Sequence, residues 1–504
     1  MSRTTVTVRP PMAFAAIADR LDRMPITPMH RRLTAVIGVG LLFDTYENNL
    51  SGTISKVLQG DFSFGGTTLK LVIASAFLGQ FVGAIVLGRL ADRIGRRRAF
   101  LANLALYSGF SLLGAFAPNA GWLIATRFLA GVGIGAEQTL SDCYLADVLP
   151  ASQRGRFTSW AYTLAYCGVP VVGFAALWLV PLTPLGIAGW RWLFVIGSAG
   201  SALVWIRRRR LIESPRWLAS RGRIAEAERL LERMEGSAAD RGRPEPAAAA
   251  APVAPAPIAP APAAVTPAAL TPAVPVPAVP VPAAPVPATP APDAAAGAAA
   301  QPRPGLRLIF EPEYRRRTAV LWAVCVLSVV GYYGFGSLAP LILAAKGYGI
   351  VQGLGYTALS FLGYPVGSAL TLPLVDRVER RVLIAVSACL MTALGMGFAL
   401  VHSSLWLIAC GFGYTLVSNV FSNGSHVYMA EQYPTSIRST AAGLAYSLSK
   451  LSAGVLPFAL LPVLTTYGAG PALALVGAAM ALLALLVATL APRSTGTPVD
   501  AAPR

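Results

Sequence analysis

Phe43-Asp44-Thr45-Tyr46-Glu47 sets two carboxylates three residues apart inside an otherwise apolar run that begins near residue 33. In a helix, positions i and i+3 share a face, so both acids are expected to look into one cavity. Asp44 falls ~16 Å along a helix rising ~1.5 Å per residue, close to the middle of a ~30 Å hydrocarbon layer. An ionised carboxylate at that depth is expensive unless it is paired. Burial favours the protonated form of an acid and a nearby cation favours the ionised form, a combination suited to binding and releasing protons. Arg127, in a separate apolar run, is the candidate cation. Asp44, Glu47 and Arg127 are therefore the expected proton-coupling set, with a static ion pair between helices as the plainer alternative.

Further polar residues stand inside apolar runs as candidate contacts to a small solute: Gln80, Glu137, Tyr333, Asn419, Asn423, His426 and Lys450. Asn419 and Asn423 are four apart and share a helical face, offering amide donors and acceptors. His426 has the simpler alternative of a satisfied histidine inside a bundle. Lys450 is harder to dismiss, because an intramembrane ammonium needs a partner or an anionic ligand, and an organic anion would serve. Other chemistry finds no support. The sequence has no GxxxxGK[ST] loop and no HExxH, its histidines are His30, His402 and His426, and Cys143, Cys167, Cys325, Cys389 and Cys410 lie singly in apolar stretches. Neither an enzyme, a cofactor nor a bound metal is expected.

The elements that must hold these residues are membrane spans. Of 504 residues, 55% are hydrophobic and 13% charged, about half the charge of a soluble domain. Apolar runs recur at roughly 33–58, 68–88, 99–117, 121–146, 157–180 and 190–206, then at 318–344, 351–374, 382–401, 405–429, 440–466 and 470–490. These predict an all-α polytopic fold of six plus six transmembrane helices: an N-terminal segment 1–32, a first bundle 33–208, an amphipathic segment 209–236, a linker 237–304, a second bundle 305–492 and a tail 493–504. Met12 to Ile17 is too short for a signal peptide, so the first span should act as an uncleaved anchor.

The net charge of +18 resides almost wholly in arginine, and the arginines cluster in alternate loops: Arg89 to Arg98, Arg154 and Arg156, Arg207 to Arg210, Arg377 to Arg381, and Arg438. This asymmetry predicts a multi-pass protein with both termini cytoplasmic, and a bacterial inner membrane is the expected location. It also removes the need for a nucleic-acid partner. The expected partners are protons, a small-molecule substrate and the bilayer, with a monomeric protein.

Asp92-Arg93-Ile94-Gly95-Arg96-Arg97 returns as Asp376-Arg377-Val378-Glu379-Arg380-Arg381, and Tyr144, Ala146, Asp147, Pro150 and Arg154 return as Tyr428, Ala430, Glu431, Pro434 and Arg438. Both pairs of motifs are offset by 284 residues, which predicts homologous bundles of parallel topology. Gly88, Asp92, Arg93, Gly95, Arg96, Arg97, Asp147 and Arg154, with Asp376, Arg377, Glu431 and Arg438, are expected to work an inner gate. Residues 237–304 alternate Ala, Pro and Val, which predicts an extended tether, with partner docking as the alternative. Ile224, Ala227, Leu230, Leu231 and Met234 have the spacing of an amphipathic surface helix.

Gly88 through Arg97 resembles the signature loop between the second and third helices of the major facilitator superfamily. Arg127 with Gly131, Gly133 and Gly135 resembles that family's RxxxGxGxG pattern, although packing is the simpler role for the glycines. Glu213-Ser214-Pro215-Arg216-Trp217-Leu218 is similar to the sugar porters and metabolite:proton symporters, and Phe43 to Glu47 resembles the DGFD-like acidic pair of organic-acid symporters. The resemblance implies two homologous six-helix bundles and an Arg127 that partners the first-helix acid. Departures are Leu372 and Glu379 in the second loop copy, Glu47 in place of aspartate, and Gly331-Tyr332-Tyr333-Gly334-Phe335-Gly336 where sugar porters carry QQxxG, which argues against a hexose. The expected function is proton-coupled uptake of a small organic acid or related metabolite by alternating access. Proton-antiport efflux and a non-transporting solute sensor are the alternatives.

Overall fold

The computed structural model describes residues 10–239, 312–432 and 438–491. The expected tail 493–504 and nearly all of the linker 237–304 lie outside the described residues.

Among the described residues the regular structure is helical. In the first half α1 is Pro10–Arg23, α2 Pro28–Thr53, α3 Ser55–Asp61, α4 Gly66–Ile94, α5 Arg96–Ala115, α6 Ala120–Gly135, α7 Glu137–Val148, α8 Arg154–Tyr166, α9 Gly168–Leu179, α10 Gly189–Arg208, α11 Pro215–Ser220 and α12 Ile224–Ala239. In the second half α13 is Pro312–Ala345, α14 Ile350–Phe361, α15 Gly363–Arg377, α16 Arg380–Leu400, α17 Ser404–Glu431, α18 Arg438–Tyr467 and α19 Ala469–Leu490. The pairs α6/α7, α8/α9 and α14/α15 each form one broken span, so the described residues make two bundles of six. Seven spans pass on length and hydropathy alone. The rest are α2, which carries Asp44 and Glu47, α5 and α10, which begin or end in arginines, and the broken pairs α6/α7 and α14/α15. Large apolar side chains such as Trp160, Trp178, Leu203, Leu405 and Leu485 are exposed around both bundles, where lipid tails replace a protein core.

The repeat is visible in packing. A Cβ on Gly79 or Gly83 of α4 would strike the carbonyl oxygen of Phe128 or Val132 on α6, and one on Gly363 or Gly367 of α15 would strike that of Phe412 or Leu416 on α17. Each member of the second set lies 284 residues after its counterpart. Gly131 and Gly135 of α6 face the backbone of Ala76 and Gln80 in the same seam, and Gly133 meets Tyr107 of α5. Packing therefore accounts for all three α6 glycines: small residues let backbones approach in lipid, where apolar burial drives little association.

The bundles meet chiefly through α2 with α13, α4 with α18, and the α8/α9 span with α14 and α15. Over the arginine-poor half this contact is apolar. Leu69, Ile73 and Phe77 of α4 join a cluster with Leu338 and Ile342 of α13 and Leu456 and Leu460 of α18. Phe77 meets the edge of Tyr333 with ring centroids 4.8 Å apart. At the arginine-rich end of the first bundle, Ile17 and Leu21 of α1 and Ala227, Leu231 and Met234 of α12 are buried in one cluster with Leu145 and Val148 of α7. The amphipathic α12 thus covers protein with its apolar stripe.

Candidate functional site

Between the bundles lies a cavity of about 150 Å³ whose walls obey the repeat. From α2 it takes Leu41, Asp44, Thr45, Asn48 and Asn49; from α13 it takes Cys325, Ser328, Val329, Tyr332 and Tyr333, each 284 residues on. Tyr162, Ala165 and Tyr166 of α8 are matched in the same way by Tyr446, Ser449 and Lys450 of α18. Corresponding positions therefore face one chamber with different chemistry: polar along α2, aromatic along α13. Two charges break the symmetry, Asp44 opposite neutral Ser328 and Lys450 opposite neutral Tyr166.

Asp44 is 5% exposed, and its Oδ1 has no hydrogen-bond partner among the described residues. Lys450 carries its Nζ 5.9 Å from the centroid of the Tyr333 ring. It has no hydrogen bond or ion pair among the described residues, while Asp44 and Lys450 act on each other electrostatically across the chamber. An acid from one bundle and an ammonium from the other thus share a cavity without closing into a salt bridge. Nearby, Tyr162 Oη donates to Asp142 Oδ1 at 2.6 Å. At the same offset His426 Nδ1 is hydrogen-bonded to Tyr446 Oη, so His426 lines the chamber with its tyrosine attached.

Glu47 does not join Asp44. It is fully buried inside the first bundle, with Oε2 2.6 Å from Arg127 Nη1 and Oε1 accepting from Ser111 Oγ at 2.6 Å. The i,i+3 spacing rotates a side chain by about 60°, and here that angle separates the cavity from the bundle interior. Arg127 partners a first-helix acid as the resemblance implies, and that acid is Glu47. Glu137, expected near the solute, is bound by Arg208 in a second fully buried pair. Asn419 and Asn423 also turn away from the cavity. Asn423 Nδ2 donates to Asn419 Oδ1 at 3.1 Å and points toward Ser368 and Thr371 of α15. Gln80 reaches the cavity indirectly, donating to Asn48 Oδ1 at 2.5 Å. Tyr333, His426 and Lys450 do line it.

At the arginine-rich end, the backbone N–H groups of Arg96 and Arg97 donate to Glu213 Oε1 at 2.9 and 3.2 Å, so this carboxylate caps the start of α5. Arg96 Nε lies 3.8 Å from Asp147 Oδ2, which accepts from Ser214 Oγ at 2.9 Å. Arg154 and Arg216 converge on Asp22 Oδ1 at 3.1 and 2.7 Å. Gly95 turns between α4 and α5 at φ +98°, and a Cβ there would lie 2.6 Å from Glu213 Oε2. At Gly88 a Cβ would meet nothing within 4 Å, so no close approach requires a glycine there. Arg93, Arg97 and Arg377 are exposed. The side chains of Asp92, Asp376, Glu431 and Arg438 lie outside the described residues.

The profile of the Major Facilitator Superfamily matches residues 36–457. The chain belongs to this superfamily. Among its relatives, YyaJ of Bacillus subtilis (strain 168), named as a metabolite transport protein, is 29% identical over 87% of each chain. The niacin transporter NiaP of Acinetobacter baylyi is 26% identical over 86% of this chain and 87% of its own length. The xylose transporter XylE from E. coli, in a partially occluded inward-open conformation, superposes with a TM-score of 0.67 over 93% of this chain and 99% of that one, at 17% identity. This facilitator is a multi-pass membrane protein and a secondary transporter of small-molecule metabolites, not an enzyme.

Several residues of the facilitator's site escape a reading of the sequence. Arg208 belongs by position to a loop arginine cluster, yet α10 carries it inside, where its guanidinium stacks 4.4 Å from the Phe100 ring. Gly40 leaves the space that this guanidinium fills, and a small residue in α2 was the available signal. Tyr162 and Tyr166 were findable through the 284-residue offset once α2 and α13 were aligned.

Proposed function

We propose that this facilitator couples proton movement to uptake of a small organic acid, with Asp44 as the proton carrier. The observation that supports this best is the Asp44 carboxylate in the wall of the cavity, buried and with an unbonded oxygen. An acid free of a strong partner exchanges its proton without dismantling the bundle. Glu47, locked to Arg127, holds α2 against α6. Lys450 gives the chamber a counter-charge for a carboxylate. The names of the niacin transporter and of a gentisate transporter, the latter 36% identical over 33% of this chain, favour an organic acid over a hexose.

The arginine-rich end faces the cytoplasm by the positive-inside rule, in a bacterial inner membrane. The apolar seam from Phe77 to Tyr333 then forms the closed outer gate. Arg96, Asp147, Arg154, Glu213 and Asp22 hold the loops of the first bundle as a rigid unit that rocks against the second.

Proteoliposomes test this with imposed pH gradients and labelled benzoate, nicotinate, gentisate, succinate and xylose. Accumulation of an acid driven by external acidity, abolished by a protonophore, is the expected result. Accumulation driven by the opposite gradient would mean antiport, and binding without flux would mean a sensor.

A further inference from the structure

The repeat supplies a neutral control for each charge in the cavity. Wherever α2 and α13 or α8 and α18 supply corresponding wall positions, the scaffold accepts an uncharged side chain, as Ser328 and Tyr166 demonstrate. Asp44 and Lys450 are therefore not required by packing. Their surroundings also leave them available to each other and to a ligand. The charged groups acting on Asp44 are Glu137 and Arg208, which are consumed in their own buried pair, and Lys450; Tyr107 is its polar neighbour. Lys450 faces Asp44, the Tyr333 ring and the imidazole of His426, whose Nδ1 is taken by Tyr446.

We propose that Lys450 is the carboxylate-binding residue for a single-ring aromatic monocarboxylate, and that the ionised Asp44 competes with that carboxylate for it. This rests on the transport reading above and assigns its substrate class and coupling step. With Asp44 ionised, the chamber is electrically balanced and a second anion meets repulsion in a site shielded from water. When Asp44 takes a proton from the medium, Lys450 keeps an uncompensated charge in an apolar setting and the substrate anion satisfies it. Proton and anion then enter together and the occupied chamber is neutral, as movement between the membrane faces favours. The second-half wall determines the rest of the ligand: Tyr332 and Tyr333 are perpendicular to each other with centroids 5.0 Å apart, and Tyr446 and Phe421 complete an aromatic lining that suits a flat ring.

Calorimetric titration of the full-length protein in detergent tests this with benzoate, cyclohexanecarboxylate and neutral benzamide, in two buffers of different ionisation enthalpy so that protons are counted. Benzoate is expected to bind with uptake of one proton in the upper part of the pH range, its affinity falling about tenfold per pH unit there. Cyclohexanecarboxylate should bind several-fold more weakly. Lys450→Ala should lose tenfold or more in benzoate affinity while binding benzamide as wild type does, and Lys450→Arg should recover most of the loss, which separates lost charge from lost folding. Asp44→Asn should bind benzoate without proton uptake in the mildly acidic range, where Lys450 holds its own proton. Failure of benzoate to bind the wild type, binding without proton uptake, or proton uptake retained in Asp44→Asn would each overturn the proposal. The two claims fail separately: proton-driven flux alongside proton-free benzoate binding refutes the competition alone, whereas proton-linked binding without driven flux refutes the transport reading alone.

Discussion

Arg127 holds Glu47 twice, through Nη1 to Oε2 at 2.6 Å and through Nη2 to the backbone carbonyl oxygen at 2.8 Å, with both side chains at most 1% exposed. The second bond ties the guanidinium to the backbone of α2 as well as to its acid, which is the geometry of a fastening.

Breaking a buried pair by removing one partner leaves the other charge uncompensated, at a cost of about 3–5 kcal/mol. Arg127→Met and Glu47→Gln should each lower the melting temperature in detergent, since each strands a buried charge. The double variant Glu47→Leu/Arg127→Met should regain much of the loss. A Glu47→Gln protein that melts with wild type but has lost proton coupling would reverse the roles assigned to the two acids.

Gly95 and Gly88 should respond very differently to alanine. At φ +98° and ψ 159°, Gly95 occupies backbone space open essentially to glycine alone, where another residue costs about 1–3 kcal/mol. Its Cβ would also press on Glu213 and Trp217. Gly95→Ala should therefore depress transport and stability, and Gly88→Ala should leave both near wild type. Equal effects, read from initial uptake rates and melting curves, would show that the turn does not hold the Glu213 cap.

His30 gives the region ahead of the first span a pH dependence. Its Nδ1 accepts from Thr27 N at 3.1 Å in a capping box at the start of α2, and burial pushes its imidazole below the ordinary value despite an opposing interaction with the Val148 backbone. Above the unfolded value of ~6.5 neither state binds the proton; below it the unfolded chain binds first, so stability is lost as the pH falls. Wild type should lose more melting temperature than His30→Gln between about pH 7.5 and about pH 5.5. Parallel losses in the two proteins would contradict this.

The spans and their division were legible because lipid selects long apolar runs, and the repeat because two motifs recur at one offset. Which face of each helix meets the cavity was less legible. Asp44 and Glu47 are both polar residues in one apolar run, and only the positions of α6 and α13 decide which acid is fastened and which is free. Asn419 and Asn423 mislead for the same reason: their shared face is real, but it meets α15. A pattern of polarity along one helix says that a polar partner exists, without saying whether that partner is a neighbouring helix or a solute.

The two inner-loop signatures should be unequal. Glu379 replaces the glycine of the first copy and pairs with Arg381 at 3.1 Å, spending that arginine locally. In the first copy Arg96 reaches Asp147, across to the end of α7. Asp92→Asn should shift cysteine labelling of the inner cavity and depress transport strongly, and Asp376→Asn should do less. An equal or larger shift from Asp376→Asn would show that the sequence difference has no mechanical counterpart.

The central claim is that Asp44 carries the proton, and Asp44→Asn in proteoliposomes tests it most directly. With benzoate as the probe, the variant should exchange labelled for unlabelled substrate across the membrane at a rate comparable to wild type, yet fail to concentrate it when the outside is made acidic. Undiminished pH-driven accumulation by Asp44→Asn would contradict the account.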